Sequence, residues 1–426
     1  MTGFVHFRLL ASVGLSVAVI SLGVPALGPA VAQPMGQTPQ SGGANPVVTY
    51  RDTGGHVHLV RFSSYAGDAI RPSDTDLSAA TAAPPATRTP TGYSSFEGAT
   101  PVEHVDYRAQ GGHVIELWKR QADDDWTLTD LTDAAHTKAT AAGDVVGWGQ
   151  AYPLQRQWVA YRGSDRHVHA LTRAGSTQPW EDIDLSAKAK SGTDAASDPT
   201  MFVDSPTSGG SPILVYRGTD DQVHILAWVP GQPPTSWRDT DVSAKARSVY
   251  VPVGRPYGWA SSQPATVRDE LHVVFRTKGG HVAEIFGRGS RWKDENLSSH
   301  GHTDVLAASD IQGSVGTDEL GQDFEIIQYR GKDGDLHRMF YRWLTYVELP
   351  SDVLSDVSTG LAVSKLGFWL KNQDTADTVY VAGGHLWASE RFWGGEVTTD
   401  TDLTKRAGTL ALAPGSGTGG YFTGGE

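Results

Sequence analysis

The chain has no cysteine. Disulfides, thiolate nucleophiles and thiolate metal ligands are therefore excluded, and a chain of 426 residues must hold together by burial and hydrogen bonding alone. Cations are also in deficit. With 35 Lys and Arg against 48 Asp and Glu, the formal charge is −13, which argues against nucleic acid and against anionic membrane surfaces as partners. No segment shows sustained helical periodicity. No His-Glu-x-x-His, Gly-x-Ser-x-Gly, phosphate loop, EF-hand loop or Ser-x-Asp-x-Gly-x-Thr-Trp box occurs. Only one long apolar run exists. It extends from Leu9 to about Leu27, follows Arg8 and ends at Ala30-Val31-Ala32, a small-x-small cleavage pattern. The expectation is a signal peptide over 1–32, a Pro/Gln/Gly/Ser-rich disordered linker over 33–45, and a secreted chain with no stable membrane insertion once the signal is removed.

What is present is repetition. Two β-branched or apolar residues, an aromatic, Arg, a polar-Gly turn and a His-Val-His-like run recur at Tyr50, Tyr107, Tyr161, Tyr216, Phe275, Tyr329 and Tyr380. The intervals are 57, 54, 55, 59, 54 and 51 residues, the period of a repeat architecture. Each copy reads as a β-hairpin, alternating apolar residues on both sides of a turn. An Asp-Leu-Ser/Thr-like element follows at Asp76, Asp130, Asp184, Asp241 and Asp402, with Asn296 in the fifth copy and a degraded form near Tyr346. A Gly-aromatic element precedes the hairpins at Gly92-Tyr93, Gly147-Trp148, Gly258-Trp259 and Gly367-Phe368, with weaker forms at Met201-Phe202 and Gly313-Ser314. These are strands A to D of a four-stranded antiparallel sheet. The expected class is all-β, a seven-bladed β-propeller over 46–426. The first hairpin lacks a strand A, and a surplus Gly420-Tyr421-Phe422 follows the last strand D. The C-terminal strand is therefore expected to pair with the first blade and close the ring, removing two exposed sheet edges.

The repeats, above all Tyr161-Arg162-Gly163-Ser164-Asp165 with His167-Val168-His169 and Tyr216-Arg217-Gly218-Thr219-Asp220 with Val223-His224, resemble those of the PLL-like bacterial seven-bladed propeller lectins. The likeness runs from about Pro46 to Phe422. It implies a propeller that binds monosaccharides, fucose or related sugars among them, between adjacent blades, with glycans or glycoconjugates as partners. The family repeat carries Glu before its Leu, and here that Glu survives only as Glu116 and Glu284. Leu59, Ala170, Ile225, Arg338 and Ala388 replace it elsewhere, and the seventh copy has Val381 for Arg.

Several residue types can be weighed against that function. A guanidinium presents a planar fork of donors to sugar hydroxyls, so Arg108 with Glu116 and Arg276 with Glu284 are candidate sugar-binding pairs. The alternative is that the repeat Arg packs between blades and bonds backbone carbonyls. Trp faces stack on sugar C–H patches, which makes Trp148 and Trp259 candidate platforms, although the regular spacing of most of the 13 Trp residues reads as inter-blade core. The His-x-His pairs show no carboxylate or thiol at ligand spacing in sequence, so no metal and no cofactor is expected. The repeated Asp could serve as a glycosidase acid, but an active site is a single constellation, and a turn-capping Asp repeats. The function expected is a non-enzymatic, secreted carbohydrate-binding protein. A protein or cell-wall interaction scaffold, and a glycoside hydrolase or lyase over the central channel, are the alternatives that a propeller leaves open.

Overall fold

A computed structural model describes residues 46–421, apart from 64–70, 99, 151–154, 205–209, 230–235, 262–269, 301–302, 318–322, 343–348, 354–362, 373–374, 383–384, 393–400 and 409–411. The expected targeting segment and linker, and Phe422, lie outside the described residues, and no described helix is long and apolar enough to cross a membrane.

The described strands form seven four-stranded sheets, antiparallel throughout and ordered A-B-C-D. The expected all-β class of four-stranded antiparallel blades holds, with one correction to the seven-bladed count. Six sheets, not seven, are complete blades of four consecutive strands, which corrects the count of like blades. The remaining sheet is composite: Leu412–Tyr421 supplies its strand A beside Pro46–Asp52, in the register Pro46 to Tyr421 and Val47 to Gly420. A helix of four or five residues follows strand D in six sheets, as at Leu77–Thr81, Leu131–Ala134, Leu185–Ala189 and Val242–Ala246.

The Asp-Leu-Ser element builds that helix and ties it down. Asp76, Asp130, Asp184, Asp241 and Asp402 each cap a helix N-terminus, accepting a hydrogen bond from the backbone N–H three residues on. The Leu or Val after the cap is buried. The Ser or Thr hydroxyl then accepts the first N–H of strand C: Val57 to Ser78, Val114 to Thr132, Val168 to Ser186, Val223 to Ser243 and Val282 to Ser298, each at 2.8–2.9 Å. Three residues thus cap a helix, anchor it in the core and satisfy an otherwise buried donor.

The Gly-aromatic element explains how the sheets stack. The A strands touch in a closed round, Thr91–Glu97 against Ala141–Gly149, onward through Pro252–Ser261 to Leu412–Tyr421, and back to Thr91–Glu97. The aromatic of one strand A fills the gap left by the glycine of the next. A Cβ at Gly258 would collide with the ring of Phe202, and one at Gly313 with the indole of Trp259. Between the sheets lie apolar cores, such as Trp148, Trp158, Met201, Leu214 and Tyr216 at the third–fourth junction, and Ile213, Val215, Val273, Phe275 and Ile285 at the fourth–fifth.

Candidate functional site

Counting sheets in chain order from the composite one, the six candidate residues fall into two sets, Arg108, Glu116 and Trp148 on the second and third sheets and Arg276, Glu284 and Trp259 on the fifth, and lie deeper than a surface site requires. Trp148 is 3% exposed and Trp259 is 1% exposed. Trp259 lies against Gly313 and Trp148 is packed in the apolar core with Met201, so neither offers a face to solvent. Glu116 and Glu284 are at 0% and 1%. Each carboxylate holds a buried histidine of strand B: Glu116 Oε1 lies 2.8 Å from His104 Nδ1, and Glu284 Oε1 lies 2.8 Å from His272 Nδ1. Arg108 and Arg276 are half-buried. Arg108 donates from Nε to the Ala141 carbonyl (2.6 Å) and from Nη1 to Thr87 Oγ1 (2.8 Å), spanning to the neighbouring sheet. Arg108 and Glu116 thus have no partner in common among these contacts. Arg51 and Arg330 likewise reach carbonyls, those of Ala86 and Ala308.

The histidines missed their carboxylates in sequence because those come from two other places. At the third sheet, His167 Nδ1 lies 2.8 Å from the capping Asp184, and His169 lies 3.1 Å from Asp165 in the hairpin turn and 3.3 Å from Asp182 on strand D. His224 repeats this with Asp220 (3.0 Å) and Asp239 (3.3 Å). The repeat tyrosine stacks on the second histidine, as Tyr50 on His58 and Tyr216 on His224. Burial pulls the His169 and His224 pKa values down, but the hydrogen bonds and charges of their aspartates outweigh it and raise both. Burial pushes Asp165 up, but the His167 backbone N–H and His169 outweigh it and hold Asp165 below the ordinary carboxylate value.

These turns form the rim of a pocket of about 560 Å³ where the third and fourth sheets meet, lined by His167, Ser186, Lys190, Ser191, Thr193, Asp194, Thr219 and Asp220, with Ala187 and Gly192. Each wall is fixed. The helix Leu185–Ala189 ends in Lys190, whose φ of +53° turns the chain outward. Ser191 Oγ donates to Asp239 Oδ2 (2.8 Å) and lies 2.9 Å from the Tyr216 hydroxyl. The Thr219 N–H donates to the Asp194 carbonyl (2.9 Å), and Thr193 Oγ1 meets Thr219 Oγ1 at 3.2 Å. Asp194 Oδ2 lies 3.4 Å from Arg166 Nε on the exposed rim. The pocket therefore offers hydroxyls, two carboxylates and an ammonium over a preformed framework. Sequence reasoning reached His167 and Asp184 through the repeat. It missed Lys190, Ser191, Thr193 and Asp194, which lie in the connection after the helix and carry no repeat signature.

No protein-family model and no curated protein matches this chain. Solved structures do. A lectin of Burkholderia pseudomallei is 12% identical, with 84% of this chain and 98% of that one covered and a TM-score of 0.53. The AofleA protein of Arthrobotrys oligospora is 10% identical, over 78% and 88% of the two chains, with a TM-score of 0.48. The Aleuria aurantia lectin, described as a six-bladed β-propeller with a novel mode of fucose recognition, is 12% identical over 74% and 97%, with a TM-score of 0.41. The first of these likenesses establishes a shared propeller-type fold.

Proposed function

We propose that this chain is an exported carbohydrate-binding protein whose binding site is the notch between the third and fourth sheets. The observation that carries this reading is the wall chemistry of the pocket. Ser191, Thr193, Thr219, Asp194, Asp220, Lys190 and His167 converge on one cavity, and hydroxyls and carboxylates held in place by other bonds, with an ammonium beside them, are what a polyhydroxylated ligand needs. The lectins among the structural neighbours agree with it, and so does the repeat resemblance; monosaccharides of the fucose class are the first ligands to try. Equivalent connections occur at other junctions: His113, Thr132, Thr137, Lys138 and Thr140 stand at the second–third junction. Several weak sites on one rigid ring would give avidity on a dense glycan surface.

The test is a glycan array followed by calorimetry with free monosaccharides, including L-fucose. Lys190→Ala with Asp194→Ala should weaken binding about tenfold or more, or roughly 1.4 kcal/mol, without altering the unfolding midpoint. A blank array, or binding that the double variant leaves unchanged, overturns the assignment.

A further inference from the structure

His272, Glu284 and Glu325 meet at the junction of the fifth and sixth sheets, from strands Glu270–Thr277, Val282–Arg288 and Asp323–Arg330. His272 Nδ1 lies 2.8 Å from Glu284 Oε1 and 2.9 Å from Glu325 Oε1, and all three side chains are at most 1% exposed. One Nδ1 faces two carboxylates and can give a proton to only one. Its hydrogen bond goes to Glu284. Glu284 Oε2 and both Glu325 oxygens are buried with no hydrogen-bond donor among the described residues. The charges do not balance either. With both glutamates ionised, even a protonated imidazole leaves a net negative charge in a site walled by Trp259 and Phe286, whose rings stack on His272 at 5.7 and 5.9 Å. An uncompensated buried charge costs several kcal/mol.

The second–third junction supplies the comparison within the same chain. There His104 and Glu116 take the places of His272 and Glu284, three residues before and nine after the repeat aromatic, and Gln157 takes the place of Glu325. Gln157 can donate, and its Nε2 does so to Glu116 Oε1 and to the Tyr93 hydroxyl (2.7 Å). Glu325 cannot donate. In the first, third and fourth copies the paired positions are apolar, Val47 with Leu59, Trp158 with Ala170, and Ile213 with Ile225.

We infer that His272, Glu284 and Glu325 form a binding site for a small divalent cation of the Zn²⁺ class, which staples the fifth sheet to the sixth. One imidazole nitrogen and two carboxylates, converging within 4.8 Å of one another, are a donor set that such an ion accepts. Two positive charges cancel the two carboxylates and leave the imidazole neutral. The donorless second oxygen of either glutamate can complete the coordination. Ser261 Oγ lies 3.2 Å from His272 Nε2, so the nitrogen turned away from the ion has the partner that fixes a metal-bound imidazole.

The test uses the tag-free full chain, refolded with Zn²⁺, desalted and assayed by elemental analysis, with Co²⁺ substitution read in the visible spectrum. The wild type should retain about one equivalent more than Glu325→Gln, which recreates the second–third arrangement, while Glu116→Gln should retain the wild-type amount. The Co²⁺ band should vanish in Glu325→Gln and in Glu284→Gln. Retention of the same metal content and band by Glu325→Gln overturns the site. So does a wild type that holds no metal and gains stability from Glu325→Gln, since that outcome makes the cluster a proton-sharing one. If Glu325→Gln does not fold, the Glu284→Gln spectrum decides in the same way.

Discussion

The second–third and fifth–sixth junctions start from one plan and end differently. Both bury a histidine on strand B against a glutamate on strand C, with a serine, Ser95 or Ser261, on the far imidazole nitrogen at 2.7 or 3.2 Å. At one, the next sheet offers Gln157, and at the other Glu325. Around His272 the consequence is large. Burial pulls this imidazole down, yet Glu325 and Glu284 drive it up to about 10, while burial and Glu325 push Glu284 up to about 8. The second–third junction carries a different excess, Asp106, which burial and the charge of Glu116 push well above the ordinary carboxylate value. A single amide-to-acid difference thus decides whether the next sheet brings the histidine–glutamate pair a hydrogen-bond donor or a further carboxylate.

The most severe way to break this comparison is Gln157→Glu. It puts a third carboxylate beside Glu116 and Asp106 and removes the donor to Tyr93. It should destabilise the chain by about 3 kcal/mol or more, as other uncompensated buried charges do, measured by denaturant unfolding. Glu116→Ala should come next, at about 3 kcal/mol, because it removes the buried carboxylate that His104 Nδ1 and Gln157 Nε2 share and leaves a cavity. Asp106→Asn should act in the opposite direction. A carboxyl whose folded pKa is raised is fully stabilising below its unfolded value near 4 and loses that contribution as the pH climbs toward the folded value. The Asn variant should therefore gain on the wild type in thermal unfolding at pH 7 and not at pH 4. His169 and His224 supply a further pH signature, away from both junctions. Their raised values stabilise fully below about 6.5, and the contribution is lost as pH rises through the folded value. His224→Asn should flatten the fall in midpoint between pH 6 and 9. The smallest expected effect is one that the junctions share. Thr132→Ala and Ser298→Ala each leave one strand C N–H without its acceptor, and each should cost about 1–3 kcal/mol; a marked inequality would show that the ties are not equivalent.

The hairpins were legible in the sequence because an aromatic, a turn and a histidine recur at nearly constant spacing. The short helices were not. Leu185–Ala189 and Val242–Ala246 are too brief to show a 3.6-residue period, although an Asp before an Ala/Lys-rich pentapeptide is a capping signal. Glu116 and Glu284 stood out because they break the pattern, but their depth was hidden. In a radial stack both faces of a sheet are covered by neighbours, so alternation cannot separate an outward face from an inward one. His104, His272, Gln157 and Glu325 escaped notice since they lie upstream of the repeat motif. For the two histidines the sign was a polar residue where Val47, Trp158, Ile213 and Ile326 stand in other copies; Gln157 and Glu325 fall one position earlier, where Pro46, Pro212 and Leu271 stand. The pocket at the third–fourth junction was illegible for another reason, being assembled from connections that belong to two repeats at once.

The composite sheet bears on the order of events in folding. Pro46 pairs with Tyr421, so the first described strand waits for the last described one. Entropy is a weak obstacle, because each doubling of a closed loop adds only about 0.6 kcal/mol. Time is the stronger one. Until Leu412–Tyr421 arrives, the hairpin at Tyr50 has an unpaired edge that another chain could occupy.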